Sequence, residues 1–187
     1  MSIKIYIDQG HNPGLINAGA QGNGLYEEQV TFQVGMSLAG LFSQNPNFIV
    51  KTSRKTPDEV IGYDQASSLR IRVDEANSWG ANYFLSIHAN ANPNPSINGS
   101  EIYVYSQTSP AYRMAQIVLE NIVEQTGTKN NSVRIQPAFY VLRKTRMPAM
   151  LIELAYLTNL SDAEKLKCEQ FQFAYGIYVG VLEYLNL

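Results

Sequence analysis

Cysteine and histidine are both scarce in this 187-residue chain, which has one cysteine and two histidines. A single cysteine excludes an internal disulfide framework, so folding must rest on the apolar core. No stretch approaches the roughly 18 consecutive apolar residues of a membrane-spanning helix. The opening MSIKIYIDQG has neither the basic nor the hydrophobic part of a secretory leader. The chain is therefore expected to have no membrane partner, and to leave its cell by lysis unless a leader or further domains lie outside this sequence. Charge is sparse and balanced: 14 Lys and Arg against 16 Asp and Glu leave a net charge of −2. That gives no electrostatic reason to expect a nucleic acid partner. Repeats, linkers and low-complexity tracts are also absent. The 45% of hydrophobic and 16% of charged residues are ordinary for a globular chain. Its length suits one domain, 1–187, expected to be monomeric.

Apolar periodicity alternates along the chain. Residues 3–8 read as a strand of β-branched residues bounded by Gly10. Residues 27–42 read as a helix, because Val30, Val34, Leu38 and Leu41 form one stripe. A short strand is expected at 48–52. Residues 67–79 form a second helix with Leu69, Val73 and Ala76 inward, closed by Gly80, where a left-handed residue can stop it. NYFLSIHA, residues 82–89, is nearly all apolar, as in a strand covered on both faces. Another strand is expected at 99–106. Ser109 and Pro110 supply an N-cap and a first-turn proline for a helix ended by Gly127. Residues 139–142 and 150–154 read as two more strands. Ser161 and Glu164 have capping-box spacing, and Phe171, Ala174, Tyr178, Val181 and Leu185 stripe the last helix. Strands separated by helices predict a single α/β domain with a mostly parallel, mixed, twisted sheet and helices on both faces.

In an open parallel sheet, ligands bind beyond the carboxyl ends of the strands. His11 lies just past the first strand, His88 ends the strand YFLSI, and Glu153 ends MLIE. Glu27 and Glu28 begin the first helix near the same edge. Two histidines and a carboxylate can make a three-ligand zinc site with a vacant fourth position. A further carboxylate could then move protons during hydrolysis. Spacing leaves the bland alternatives open, because a histidine at a strand end can be merely hydrogen-bonded and a glutamate at a helix start can merely balance the helix dipole. Glu153 is harder to set aside, since a buried carboxylate without a partner is costly. Asp8 is a possible partner for His11, or a residue that closes the turn.

At these same positions the chain resembles the zinc-dependent N-acetylmuramoyl-L-alanine amidases of autolysins, phage lysins and sporulation enzymes, across nearly its whole length. IYIDQGHNPG is similar to the family's opening IDPGHGG, whose histidine binds zinc, which corresponds to His11. GLYEEQVTFQVGMSLAGLF is similar to the block that carries the ligand glutamate, and aligning Val30 places it at Glu27. LRIRVDEANSWGANYFLSIHANAN resembles the block that delivers His88, and GSEIYVY the family's Gly-x-Glu strand. FYVLRKTRMPAMLIELAYLTNLSDAEKL is similar to the block whose glutamate is catalytic, here Glu153. NGLYEEQVT and ANSWGANYFLSIHANA look most like the mother-cell-lysis and spore-associated branch. Two positions depart: Gln9 stands for the usual proline, and Asn12 for the usual glycine after the histidine. Both bear on loop geometry and neither removes a ligand.

The resemblance implies that the partner is peptidoglycan, acted on at the cell wall, and that the bond is the amide joining N-acetylmuramic acid to L-alanine. It implies Zn2+ at His11, Glu27 and His88, lowering the pKa of a water from about 15.7 toward about 7, with Glu153 moving its proton. Asn90 and Arg143 are candidates for touching glycan or peptide. The alternatives are another zinc peptidase or carboxypeptidase of the same polymer, and a wall-binding module without catalysis. GAQGNG, residues 19–24, fits neither a dinucleotide fingerprint nor a P-loop. Cys168, far from either histidine motif, reads as a half-buried structural thiol rather than a nucleophile.

Overall fold

A computed structural model describes residues 2–187. In chain order the elements are β1 (Ile3–Gln9), a small hairpin of β2 (Gln21–Gly22) and β3 (Leu25–Tyr26), α1 (Glu27–Ser43), β4 (Phe48–Thr52), α2 (Gln65–Trp79) and β5 (Tyr83–Asn90). They continue with β6 (Ser100–Val104), α3 (Pro110–Thr126), β7 (Asn130–Ile135), α4 (Tyr140–Lys144), β8 (Ala149–Tyr156), α5 (Leu160–Cys168) and α6 (Gln170–Leu185).

The main sheet is six-stranded, in the order β4-β1-β5-β8-β6-β7. The first four strands run parallel. β6 pairs antiparallel with β8, and β7 runs with β6, so the sheet is mixed.

Successive side chains of a strand point to opposite faces. One face carries Ile5, Ile7, Leu85, Ile87, Ile102 and Ile152, all fully buried under α1, α3 and α6. The other carries Tyr6, Phe84 and Leu151, packed against Val73 and Ala76 of α2 and Val141 and Leu142 of α4. Where the strands approach their carboxyl ends, this second face turns polar with Asp8, Ser86, His88 and Glu153. In register, Asp8 faces Ser86 and His88 faces Glu153, while Glu153 also faces Glu101 of β6. His88, Glu153 and Glu101 thus form one row across three strands. The register between β5 and β8 shifts just beyond His88, an irregularity of the kind often found beside active sites.

Several expectations change. Residues 139–142 are not a strand: Tyr140 to Lys144 form a short helix that buries Val141 and Leu142. A four-residue apolar run looks the same in either state until its neighbours decide. The cap of α5 is Asn159, whose side chain accepts from the Asp162 amide, and Ser161 lies inside the helix. The buried face of α6 is Phe173, Ala174, Ile177 and Val181, whereas Phe171 is exposed. There Gly176 and Gly180 let α6 approach α3, because a Cβ on Gly180 would lie 2.6 Å from the Val118 Cα. β7, polar and at the sheet edge, has no apolar pattern to reveal it. Cys168 is exposed, not half-buried.

Candidate metal centre

β1 delivers the first imidazole by ending in a sharp turn. Gly10 passes so close to β5 that an added Cβ would sit 2.5 Å from the His88 ring. His11 follows in the left-handed region, at φ +66°. Its Nδ1 lies 3.1 Å from the Asn17 carbonyl oxygen. A carbonyl can only accept, so Nδ1 carries the hydrogen and Nε2 is left with a lone pair when the ring is neutral. That Nε2 points to Glu27, 3.2 Å from Oε1.

Glu27 reaches the same place from the first turn of α1. Its Oε2 accepts from the Ala20 amide at 2.8 Å, and Oε1 accepts from the Ala89 amide at 3.1 Å. His88 Nδ1 stands 3.0 Å from that same Oε1. The donor atoms of His11, Glu27 and His88 all lie within 4.8 Å of one another.

Burial alone would push the Glu27 carboxyl up. Hydrogen bonding to His11 and His88 overcomes this and holds it well below the usual carboxylate range. Burial opposes protonation of His11 in turn, but the Glu27 carboxylate prevails and raises its pKa. Two ring nitrogens, each about 3 Å from one carboxylate oxygen, with His11 and Glu27 steadied by backbone groups on their far sides, suit a small divalent cation. Bonds of about 2.0–2.1 Å at tetrahedral angles put such donors roughly 3.3 Å apart.

Glu153 completes the row. The residue is partly exposed, yet its Oε2 is shut off from solvent and has no hydrogen-bond partner. Burial, reinforced by the nearby Glu27 and Glu101 carboxylates, raises its pKa well above the ordinary value. A cavity of about 380 Å³ opens onto His11, Glu27, His88 and Glu153 together, walled by Leu69 and Phe139. The arrangement suits polar hydrolysis: cation ligands and a free carboxyl facing one space.

Known proteins resemble the chain over nearly its whole length. The family described as N-acetylmuramoyl-L-alanine amidase (Amidase_3) matches residues 5–183. The chain belongs to this amidase family. It is 38% identical over 189 residues to the N-acetylmuramoyl-L-alanine amidase CwlM of Bacillus licheniformis, covering 99% of this chain and 70% of that protein. It is 36% identical over 184 residues to the amidase LytC of Bacillus subtilis, covering 96% of this chain but only 35% of that protein. Among solved structures it resembles the N-acetylmuramoyl-L-alanine amidase of Clostridium difficile 630 with a TM-score of 0.88 and 31% identity, covering 99% of this chain and 97% of that one.

Within this amidase fold the remaining sequence candidates divide. Asn90 lines the cavity, with Nδ2 donating to Glu101 Oε1 at 2.7 Å. Arg143 is exposed on α4 and borders a separate depression with Tyr105 and Pro110. Asp8 does not meet His11. It takes Arg72 Nη1 at 2.6 Å and the Ser86 hydroxyl at 2.8 Å. The two departures from the family's loop are buried and bonded: Gln9 Oε1 accepts from the Arg54 amide at 2.9 Å, and Asn12 Nδ2 donates to the Ile61 carbonyl at 2.9 Å.

Sequence reasoning gave no role to two neighbours of the site: Glu101, noted only as the glutamate of the Gly-x-Glu strand, and Arg72. Glu101, buried opposite Glu153, accepts from the hydroxyls of Tyr103 at 2.9 Å and Tyr156 at 3.2 Å, and pairs with Arg134. Arg72 is buried beneath the His11 turn. A signal for Arg72 existed, since position 72 falls on the inward stripe of α2 with Leu69, Val73 and Ala76.

Proposed function

We propose that the whole chain, 1–187, is a peptidoglycan amidase domain that cleaves the amide between N-acetylmuramic acid and L-alanine of the stem peptide, with a zinc ion held by His11, Glu27 and His88. The observation that carries the reading is that these three donors and the unpartnered Glu153 open onto one cavity. Zinc in that place supplies Lewis acidity, which acidifies a water and polarises a carbonyl. The protein does the rest. Asn17 holds His11, and the Ala20 and Ala89 amides hold Glu27, in position, so little reorganisation of these two is needed when substrate arrives. Glu153 accepts the proton from the attacking water and returns it to the departing alanine nitrogen. A carboxyl whose pKa burial has raised is better matched to that exchange than an ordinary exposed one. Asn90 stands at the cavity wall to touch substrate, whereas Arg143 meets only a polymer that extends past α4. Every proposed ligand comes from one chain, so no second subunit is needed to complete the site, and we propose that the domain acts on the cell wall as a monomer.

The test is digestion of purified peptidoglycan with and without chelator. New L-alanine amino termini, lost when metal is removed, are the expected result. Other new termini would show a stem peptidase, sedimentation without cleavage a binding module, and new reducing ends a glycosidase. Any of these three overturns the reading.

A further inference from the structure

The turn that carries His11 does not hold itself. Residues 12–18 contain no regular element, and both His11 (φ +66°) and Asn17 (φ +53°) sit in the left-handed region without being glycine. Such backbone persists only where the surroundings over-determine it. The surroundings here are one face of α2. Arg72, 1% exposed, spreads its guanidinium across the turn. Nη1 donates to Asp8 Oδ1 and to the Gln9 carbonyl, both at 2.6 Å. Nη2 donates to the carbonyl of His11 itself at 2.6 Å and to Asn12 Oδ1 at 2.8 Å. One helical turn earlier, Ser68 Oγ accepts from the side-chain amides of Asn12 at 3.3 Å and Asn17 at 3.2 Å. Asn17 then closes the circuit, its carbonyl accepting from the Asn12 amide at 3.1 Å and lying 3.1 Å from His11 Nδ1.

We propose that Arg72, seconded by Asn12, is a positioning residue for the metal: a clamp from α2 that keeps the His11 turn left-handed and thereby sets how tightly the ion is held. The inference rests on the zinc reading above. A competing account would make Arg72 no more than the counter-charge of buried Asp8. The two differ for Arg72→Lys. A lysine keeps a positive charge for Asp8, but its single nitrogen cannot span the Asp8 side and the His11 side at once, as the planar fork does. Asn12→Ala complements it, because it loosens the turn and leaves the Arg72–Asp8 pair in place.

The experiment measures zinc affinity of the wild type and both variants by competition with a chromogenic chelator. Visible spectra of the cobalt-substituted proteins, and circular dichroism melts of the metal-free proteins, accompany it. Partners that orient metal ligands are typically worth about 10- to 100-fold in affinity. Arg72→Lys should therefore bind zinc at least tenfold more weakly, Asn12→Ala should weaken in the same direction, and the cobalt bands should shift in both while the metal-free folds persist. Tight zinc binding by the wild type with both folded variants within twofold of it overturns the clamp and leaves the zinc reading standing. Failure of the wild type to bind zinc stoichiometrically overturns the zinc reading and the clamp with it. If Arg72→Lys does not fold, Asn12→Ala decides alone.

Discussion

Replacing Glu153 with glutamine should separate the catalytic and structural effects of one carboxyl. Glutamine keeps the shape and removes the ability to carry a proton as a carboxylate does. General acid–base catalysis is typically worth about 10²- to 10⁴-fold, or roughly 2.7–5.4 kcal/mol of barrier at 1.36 kcal/mol per tenfold. Glu153→Gln should therefore lose at least a hundredfold in turnover on peptidoglycan while its zinc affinity stays near wild type, since Glu153 is not among the clustered ligands. Stability should move the other way. The Glu153 pKa is raised first by burial, then by Glu27 and Glu101, so the folded state holds that proton more tightly than the unfolded chain does. Wild-type stability then falls as pH climbs from the ordinary glutamate value of about 4.3 through the raised folded value, each unit between them being worth about 1.36 kcal/mol. The glutamine variant has no such slope. One kcal/mol corresponds to a shift of about 2–4 °C in Tm for a domain of this size, so melts of both proteins in chelator, from pH 4 to 8, should diverge in the variant's favour. Chelator keeps a bound cation from reversing the local field. Turnover within tenfold of wild type would refute the proton-carrier role, and a Tm difference that does not grow with pH would refute the electrostatic account.

Two further outcomes follow from contacts around the same turn. Gly10→Ala would place a methyl 2.5 Å from the His88 ring and 2.7 Å from the Ile87 carbonyl. A displacement of about 1 Å can cost about a hundredfold, so turnover and zinc affinity should both collapse, and a variant with normal zinc affinity would show that the ring yields freely. Burial pushes the Asp8 carboxyl up, but the charge and hydrogen bond of Arg72 prevail and hold it below its ordinary value. Its contribution is thus fully present above about pH 3.9 and is lost as pH falls through the lower folded value. Asp8→Asn should cost about 3–5 kcal/mol at neutral pH by stranding a buried guanidinium. It should also flatten the acid limb of a urea-unfolding profile between pH 2 and 5, and an unchanged limb would contradict this assignment.

What could be read from the chain alone was whatever depends on near neighbours. Gly80 and Gly127 end α2 and α3 in the left-handed conformation, and Ser109 with Pro110 begins α3, as expected from residue type. Apolar stripes of period near 3.6 located α1 and α2, a β-branched run located β1, and short apolar runs located β4, β5 and β8, because local backbone preference and burial act over a few residues. Strand ends by themselves also put His11, His88 and Glu153 at one edge of the sheet. Other features needed partners far along the chain. Whether residues 139–142 pair as a strand or coil into α4 depends on what covers Val141 and Leu142. β7 is a strand only because β6 lies beside it. The row His88–Glu153–Glu101 exists through register, since a slip of one residue would send each side chain to the opposite face. Arg72 lies 61 residues from the histidine whose carbonyl it holds, and a buried charge is tolerable only when such remote groups converge on it. Composition and short-range pattern determined which elements form and which residues end them. Long-range strand pairing and the burial of polar groups decided what those residues face, and through that the chemistry they can do.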